Sequence, residues 1–507
     1  MKQLDNSLKI IAKSSFIMFI GLLVSKISIF VYRAIIARHF NPEVYGLFSL
    51  AFLVLSLFVA FSSFGLTEGI LRYTAYYRGK KDSKKIVFIL NFSIIFIVIS
   101  SLISAFLLFF LSSFISISIF HNASLIPFLK FFSFLVPIWI FSNLFLAVIR
   151  AYELVSYYSF ILNVLESIVK ILFLGFFIIL GLKTNAIIFS AILGITSMFI
   201  ASYLVCKYKL KVFGKIQINK NEKKALTKEL FSYSLPFMLL LFLDLSFQWT
   251  DSFFLGFFKT ASDVGYYNSA IPIALLLNLT ADIFMILFYP LITREFAKKN
   301  FSLIKQISRQ IGKWIFILNL PILIIFLFYP KEIISLLFGN QYAIASNALQ
   351  FLAIGVFISA IFRPAKFIIA SIGKSKLMLV NVAIVFVFSI ILNILLIPYY
   401  GINGAAISAM LSYALLSLLF LFEAYYFTSI LAIRADAIKI FFVSLVPIFA
   451  LFVIKNFMQK NIVSILMQVI FFFLLYFLLI FLARCLDKKD ILIITSMTNK
   501  LGLKAGK

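Results

Sequence analysis

The stretch Ser14–Ile36, SSFIMFIGLLVSKISIFVYRAII, decides how the rest of the chain is read. It is long enough to cross a bilayer, for which about 20 apolar residues suffice. It nevertheless carries Lys26 near its middle and Arg33 toward its far end. Seven residues apart, the two cations share one helix face, about 10 Å apart along the axis. A cation at bilayer depth costs roughly 2.5–3.5 kcal/mol on insertion scales. A face that keeps two of them points at a partner or a watery cavity.

The remaining sequence has the same character. Of 507 residues, 63% are hydrophobic and only 13% charged, with 65 Phe. A soluble chain of this length needs a far more charged surface, so the composition specifies an all-α polytopic membrane protein. The net charge of +28 would point to nucleic acid in a soluble protein. Here the Lys and Arg residues sit in short loops between apolar spans, as the positive-inside rule requires, and no nucleic-acid partner is expected. Cys206 and Cys485 fall at expected cytoplasmic span ends, which predicts no disulfide. His39 and His121 fall in expected outer loops, leaving no metal cluster. The first span reads as retained, since its length, Lys26 and Arg33 do not suit a signal peptide.

About fourteen spans are expected, helical by length and composition: 14–36, 44–66, 86–111, 125–149, 157–180, 184–206, 231–258, 264–291, 312–329, 344–370, 377–398, 402–427, 437–455 and 463–484. The cations follow the even-numbered spans: Arg72 to Lys85, Lys207 to Lys228, Arg294 to Lys313, and Lys500 to Lys507 at the tail. That bias puts both termini in the cytoplasm. No GxxxxGK[ST] phosphate loop occurs, so a transport cycle has to run on a gradient, on substrate asymmetry or on a partner.

An internal repeat organises the spans. An offset of about 218 brings Asn185 onto Asn403, Ser190 onto Ser408 and Asn163 onto Asn381, and 219 brings Gly46 onto Gly265. A nearly constant offset at separate places indicates duplication of a six-span unit. The expected organisation is a six-helix lobe over 1–206, a basic linker over 207–230, a second lobe over 231–427, and two extra helices with a basic tail over 428–507. Six spans is an even number, so the two lobes are pseudo-symmetric about the membrane normal with a site between them.

The repeat sets span seven opposite span one. Asp244, Gln248 and Asp251 lie on one face of span seven, at depths that match Lys26 and Arg33. Both faces are therefore expected to line a cavity, the charges serving a substrate, an ion or a gate. Asn278 and Asp282 share a face of span eight, Asp282 being a candidate for the cavity. Pro236 and Pro272 can kink these spans. Glu166 and Lys170, at i and i+4, read as a self-neutralising structural pair. Arg363 and Lys366 read as snorkelling to the cytoplasmic headgroups, with a cationic rim for an incoming phosphate as the alternative.

The run ARHFNPEVYGLFSLAF, Ala37 to Phe52, resembles the A-R-x-L-G-P-E-x-Y-G-x-F signature of polysaccharide transporters in the multidrug/oligosaccharidyl-lipid/polysaccharide exporter superfamily. It departs at Phe40-Asn41, where Leu-Gly is usual. FGLTEGILRYTAYYRGKKD, Phe64 to Asp82, is also similar, and the twelve-plus-two spans extend the resemblance over the whole chain. The resemblance implies a flippase and not an enzyme: a cell-membrane protein moving a polyprenyl-(pyro)phosphate-linked oligosaccharide from the cytoplasmic to the outer leaflet by alternating access. Its partners are that lipid-linked oligosaccharide, membrane lipids and glycan-assembly proteins. Relatives hold the anionic phosphate in a cationic cavity, which suits Lys26 and Arg33. The sugar is then expected against Gln248, Trp249 and Asn278. Asp244, Asp251 and Asp282, which the family does not assign, are candidates for H⁺ or Na⁺ coupling or for gating, and no cofactor is expected. The alternative is a cation-coupled multidrug exporter of the same fold. A membrane-bound glycosyltransferase is disfavoured, because the longest connection, Lys207–Leu230, is short and lysine-rich.

Overall fold

A membrane helix buries small or polar residues against its neighbours and turns its large apolar residues to lipid, and the helix Ser83–Phe114 does both. Ile95, Ile99, Ile103, Phe106 and Phe110 are more than half exposed on one face. Ser93, Ser101, Ser104 and Ser112 are buried on the other. Ser101 and Ser112 donate their hydroxyls to the carbonyls of Val98 and Phe109, at 3.2 and 2.6 Å, as burial in an apolar setting requires, whereas the buried Ser93 hydroxyl has no hydrogen-bond partner.

The computed structural model describes residues 2–214, 218–431, 436–457 and 461–485. The basic tail, Lys500–Lys507, and residues 215–217 of the expected linker lie outside the described residues. Among the described residues there are eighteen α-helices and no strand. In chain order they are α1 (Lys2–His39), α2 (Pro42–Ser62), α3 (Leu66–Gly79), α4 (Ser83–Phe114), α5 (Leu125–Ser133), α6 (Leu135–Ala151), α7 (Val155–Ser159), α8 (Glu166–Ile179) and α9 (Asn185–Leu204). There follow α10 (Lys220–Phe258), α11 (Ala261–Ala274), α12 (Leu277–Ala297), α13 (Phe301–Phe328), α14 (Pro330–Phe338), α15 (Ser346–Ser371), α16 (Ser375–Thr428), α17 (Asp436–Phe457) and α18 (Ile462–Leu482).

Among the described residues, eleven helices are long and apolar enough to cross a membrane, and thirteen spans result if two bent pairs count as one span each. These pairs, α5 with α6 and α11 with α12, each bend by 46°. The second bend follows Pro272, where the sequence predicts a kink. The 54-residue α16 breaks at Gly401, whose φ of 53° and ψ of −129° are not helical. An L side chain rarely adopts such a positive φ, and the break divides α16 into the two expected spans 377–398 and 402–427. The fourteen expected segments thus each have a counterpart in a multi-pass membrane protein.

Helices group into two compact units. Unit 1 comprises 1–273, 331–352 and 379–412; unit 2 comprises 274–330, 353–378 and 413–507. Within unit 1 the first turns of α2 and α11 touch through glycine. A Cβ added to Gly46 would lie 1.7 Å from the Ala261 carbonyl oxygen and 2.9 Å from the Gly265 nitrogen. A Cβ added to Gly265 would lie 2.0 Å from the Pro42 carbonyl oxygen and 3.1 Å from the Gly46 nitrogen. The contact is reciprocal under the 219-residue offset, which relates Pro42 to Ala261 and Gly46 to Gly265. Tyr45, fully buried, locks the crossing by donating its hydroxyl to the Asn268 carbonyl at 3.1 Å. Unit 2 is centred on an apolar cluster from α12, α13, α15 and the end of α16, including Met285, Phe288, Ile315, Ile368 and Phe420.

Candidate functional site

Unit 1 encloses a cavity of about 250 Å³. Helix α1 contributes Ser25, Ser28, Tyr32 and Arg33, and α2 contributes Phe48, Ser49 and Phe52. Trp139 of α6 and Trp249 of α10 complete an aromatic wall, while Glu166, Ser167 and Lys170 of α8 supply the polar side. Phe52 packs on both Trp139 and Trp249, with ring centroids 5.2 and 6.3 Å apart. Tyr32 is held by a 3.1 Å hydroxyl contact with Ser190 of α9.

Glu166 and Lys170 pair as their i, i+4 spacing predicts, with side chains only 17% and 14% exposed. The pair is not a remote structural feature, however, because it forms part of the cavity wall. Two local features put it there. The backbone just before Glu166 is π-helical from Phe160 to Leu165, and such a turn adds a residue to the helix and resets the direction of the side chains after it. On α9, Gly194 leaves the space taken by the Lys170 stem; a Cβ there would lie 2.3 Å from the lysine Cγ. The Lys170 ammonium lies 5.8 Å from the Phe52 ring centre. Arg33 and Lys170 together offer two cations against one carboxylate, in a setting where a fixed charge is weakly screened.

A second polar centre of unit 1 surrounds Asp251. Its carboxylate accepts from the Tyr267 hydroxyl at 2.8 Å and from the Asn393 amide at 2.9 Å. Asn393 also donates to Ser389 at 3.2 Å, while its own buried carbonyl oxygen has no hydrogen-bond partner. Asp244 lies on the same helix and accepts from Gln248 at 2.9 Å.

The third centre belongs to unit 2. The Arg363 guanidinium pairs with Asp282 and donates to the Asn278 side-chain oxygen at 2.6 Å. Arg363 and Asp282 are 23% and 24% exposed. Arg363 is therefore not explained by snorkelling alone. Its fork of donors fits a carboxylate and an amide one helical turn apart, and pairing offsets the cost of a cation at depth. Thr280 and Asn319 extend the polar stripe, their side chains 2.7 Å apart.

The sequence-expected residues are thus distributed over three centres. Arg33 and Trp249 share the cavity. Lys26, on the same helix and partly buried, is not among its lining residues. Gln248, expected against a sugar, is bonded to Asp244. Asp251, expected opposite a cation of span one, is held by the neutral donors Tyr267 and Asn393. Asn278 and Asp282 are engaged by Arg363. Sequence reasoning passed over Tyr32, Phe52 and Trp139. One signal was available, since the chain has only three Trp and two of them line one cavity.

Comparison with known proteins gives a consistent result. The family model described as Polysaccharide biosynthesis protein matches residues 11–283, more than half of the chain, and the one described as MatE matches 236–395. An uncharacterized membrane protein of Methanocaldococcus jannaschii is 27% identical over 282 residues, 55% of this chain and 54% of that protein. A Haloferax volcanii protein assigned as a low-salt glycan biosynthesis flippase is 24% identical over 50% of this chain and 51% of its own length. The match therefore spans about half the length of these two relatives. A Shigella flexneri protein assigned as an O-antigen transporter is 23% identical over 74% of this chain and 88% of its own length. Among solved structures, the lipid II flippase MurJ in an inward closed conformation superposes with a TM-score of 0.72 at 17% identity, covering 92% of this chain and 98% of MurJ. An inward-facing multidrug resistance MATE transporter superposes with 0.63 at 16% identity, covering 81% and 98%. At these identities the likeness establishes the fold.

Proposed function

The chain belongs to the polysaccharide biosynthesis protein family, and on that footing we propose that it is a flippase and not an enzyme. It moves a polyprenyl-(pyro)phosphate-linked oligosaccharide from the cytoplasmic to the outer leaflet of the cell membrane by alternating access, with both termini in the cytoplasm. The observation that carries this reading is the unit 1 cavity, where two cations and one carboxylate face an aromatic wall. Arg33 meets the anionic phosphate, its fork of donors matching phosphate oxygens, and Lys26, two turns earlier on α1, tracks the anion along the helix. Trp249 and its aromatic neighbours offer faces to the sugar ring, and Gln248 and Asn278 contact sugar as the cargo passes. The lipid tail stays in the bilayer, against α17 and α18, whose outward residues Phe442, Phe449, Met467 and Leu474 are exposed and apolar.

Asp251 is the leading candidate for a coupling H⁺ or Na⁺, supported by the unsatisfied Asn393 oxygen beside it. Asp244 and Asp282 act in gating. Glycan-assembly proteins supply and remove the cargo. Substituting Lys26 or Arg33 with Ala should abolish translocation while leaving membrane insertion intact; normal flipping by both variants would overturn the cationic-cavity reading. The MatE match over 236–395 favours one second reading, a cation-coupled multidrug exporter. Drug sensitivity of a deletion strain without accumulation of lipid-linked glycan would select it.

A further inference from the structure

The cavity of unit 1 holds a second cation, Lys170, and a carboxylate, Glu166, besides Arg33. Arg33 has no carboxylate of its own on that wall, whereas Lys170 has one four residues away. The Glu166–Lys170 pair is more than four-fifths buried. It sits directly after a π-helical turn, a feature that recurs at functional sites and costs helix stability. The Lys170 stem is confined by Gly194 on one side, and its ammonium lies beside the Phe52 ring. A pair needed only to neutralise itself requires neither the π turn nor a place on a cavity wall.

We propose that Glu166 is a built-in counter-anion. Without cargo it occupies Lys170; a phosphate or pyrophosphate group entering the cavity displaces it and is then held by Lys170 together with Arg33. This inference rests on the flippase reading, and it names the residue that sets how tightly the cavity holds an anion. The physical basis is competition. Phosphoryl oxygens carry more charge than a carboxylate and can span two cations, so they win Lys170 when present. The resident carboxylate keeps the site from binding so tightly that cargo is never released. An unpaired lysine at this depth would otherwise be costly between turnovers.

The test uses the purified full-length protein in lipid nanodiscs, titrated with inorganic pyrophosphate. The readout is tryptophan emission, because Trp139 and Trp249 line the cavity. Glu166→Gln should bind pyrophosphate about tenfold more tightly than the native protein, and Glu166→Ala serves if the Gln variant does not fold. Adding Lys170→Met should remove that gain, and Arg33→Ala should weaken binding in every background. Geranyl pyrophosphate should compete with pyrophosphate for the site; binding of inorganic pyrophosphate alone would make this a free-anion site and overturn the assignment to cargo. Unchanged affinity in the Glu166 variants, or a gain that survives Lys170→Met, would overturn the counter-anion role. If the native protein flips lipid-linked oligosaccharide while Glu166→Gln shows no gain, only this inference falls. If the native protein neither flips nor binds pyrophosphate, the flippase reading falls with it.

Discussion

Replacing Gly46 with alanine places a methyl group 1.7 Å from the Ala261 carbonyl oxygen, 2.7 Å from its carbon and 2.9 Å from the Gly265 nitrogen. All three obstacles are backbone, so no side chain can swing aside. Tight Cβ contacts begin at 3.0–3.4 Å, which means that α2 and α11 must part by about 1.5 Å, a shift of the size that makes overpacking cost up to about 3 kcal/mol. Alanine's helix preference returns about 0.5–1 kcal/mol, leaving a net loss of about 2 kcal/mol. Gly265→Ala should cost a similar amount, since its Cβ meets the Pro42 carbonyl oxygen at 2.0 Å. The double variant should cost less than the sum, because one separation of the helices relieves both clashes. Gly175→Ala is the control: nothing lies within 4 Å of its Cβ position in α8, so it should stabilise by about 0.5–1 kcal/mol. Thermal unfolding followed by tryptophan emission in one detergent compares all four. Gly46→Ala as stable as the native protein would refute the reciprocal glycine contact.

Three further outcomes are expected. Arg363→Met removes the guanidinium from the mostly buried Asp282 carboxylate and should lower stability by up to about 3 kcal/mol, the lower end for a broken buried pair, given exposures of 23% and 24%. Adding Asp282→Leu should restore most of that loss in the same unfolding assay. Tyr267→Phe and Asn393→Leu each remove a donor from Asp251, at about 1–3 kcal/mol apiece. Their combination should depart from additivity, since both act on one carboxylate. Lys26→Ala and Arg33→Ala should insert normally, judged by membrane fractionation, yet fail to complement a deletion strain; complementation by both would count against the cationic face.

The sequence made the spans legible because bilayer thickness imposes one length on every apolar run. It also placed a kink at Pro272 and a connection at 399–401, where α11 ends in a bend and α16 breaks at Gly401, whereas Pro236 lies inside the continuous α10. Glu166 and Lys170 were legible as a pair, since i, i+4 neighbours meet on any helix. Their place on a cavity wall was not, because it depends on a π turn and on Gly194 in another helix. Arg363 lies 81 residues from Asp282 and Asn393 lies 142 from Asp251; nothing in a single sequence distinguishes those partners from other polar residues in apolar spans. The offset of 219 predicted opposition between span one and span seven, but it fixes equivalent depth and not side-chain direction. Asp251 accordingly turns to Tyr267 and Asn393. The same offset pairs Gly46 with Gly265 only as equivalent positions; that they also touch, backbone against backbone, is seen in the structure alone.

Passage of a lipid-linked glycan across the membrane, with its phosphate held at Arg33, is open to direct measurement. Purified protein reconstituted in vesicles, with a fluorescently tagged polyprenyl-pyrophosphate-linked oligosaccharide in both leaflets, tests it through the fraction of label open to an external quencher. Exchange between leaflets is expected with native protein, and none above protein-free vesicles with Arg33→Ala. Equal exchange by Arg33→Ala, or none by native protein, would contradict that expectation.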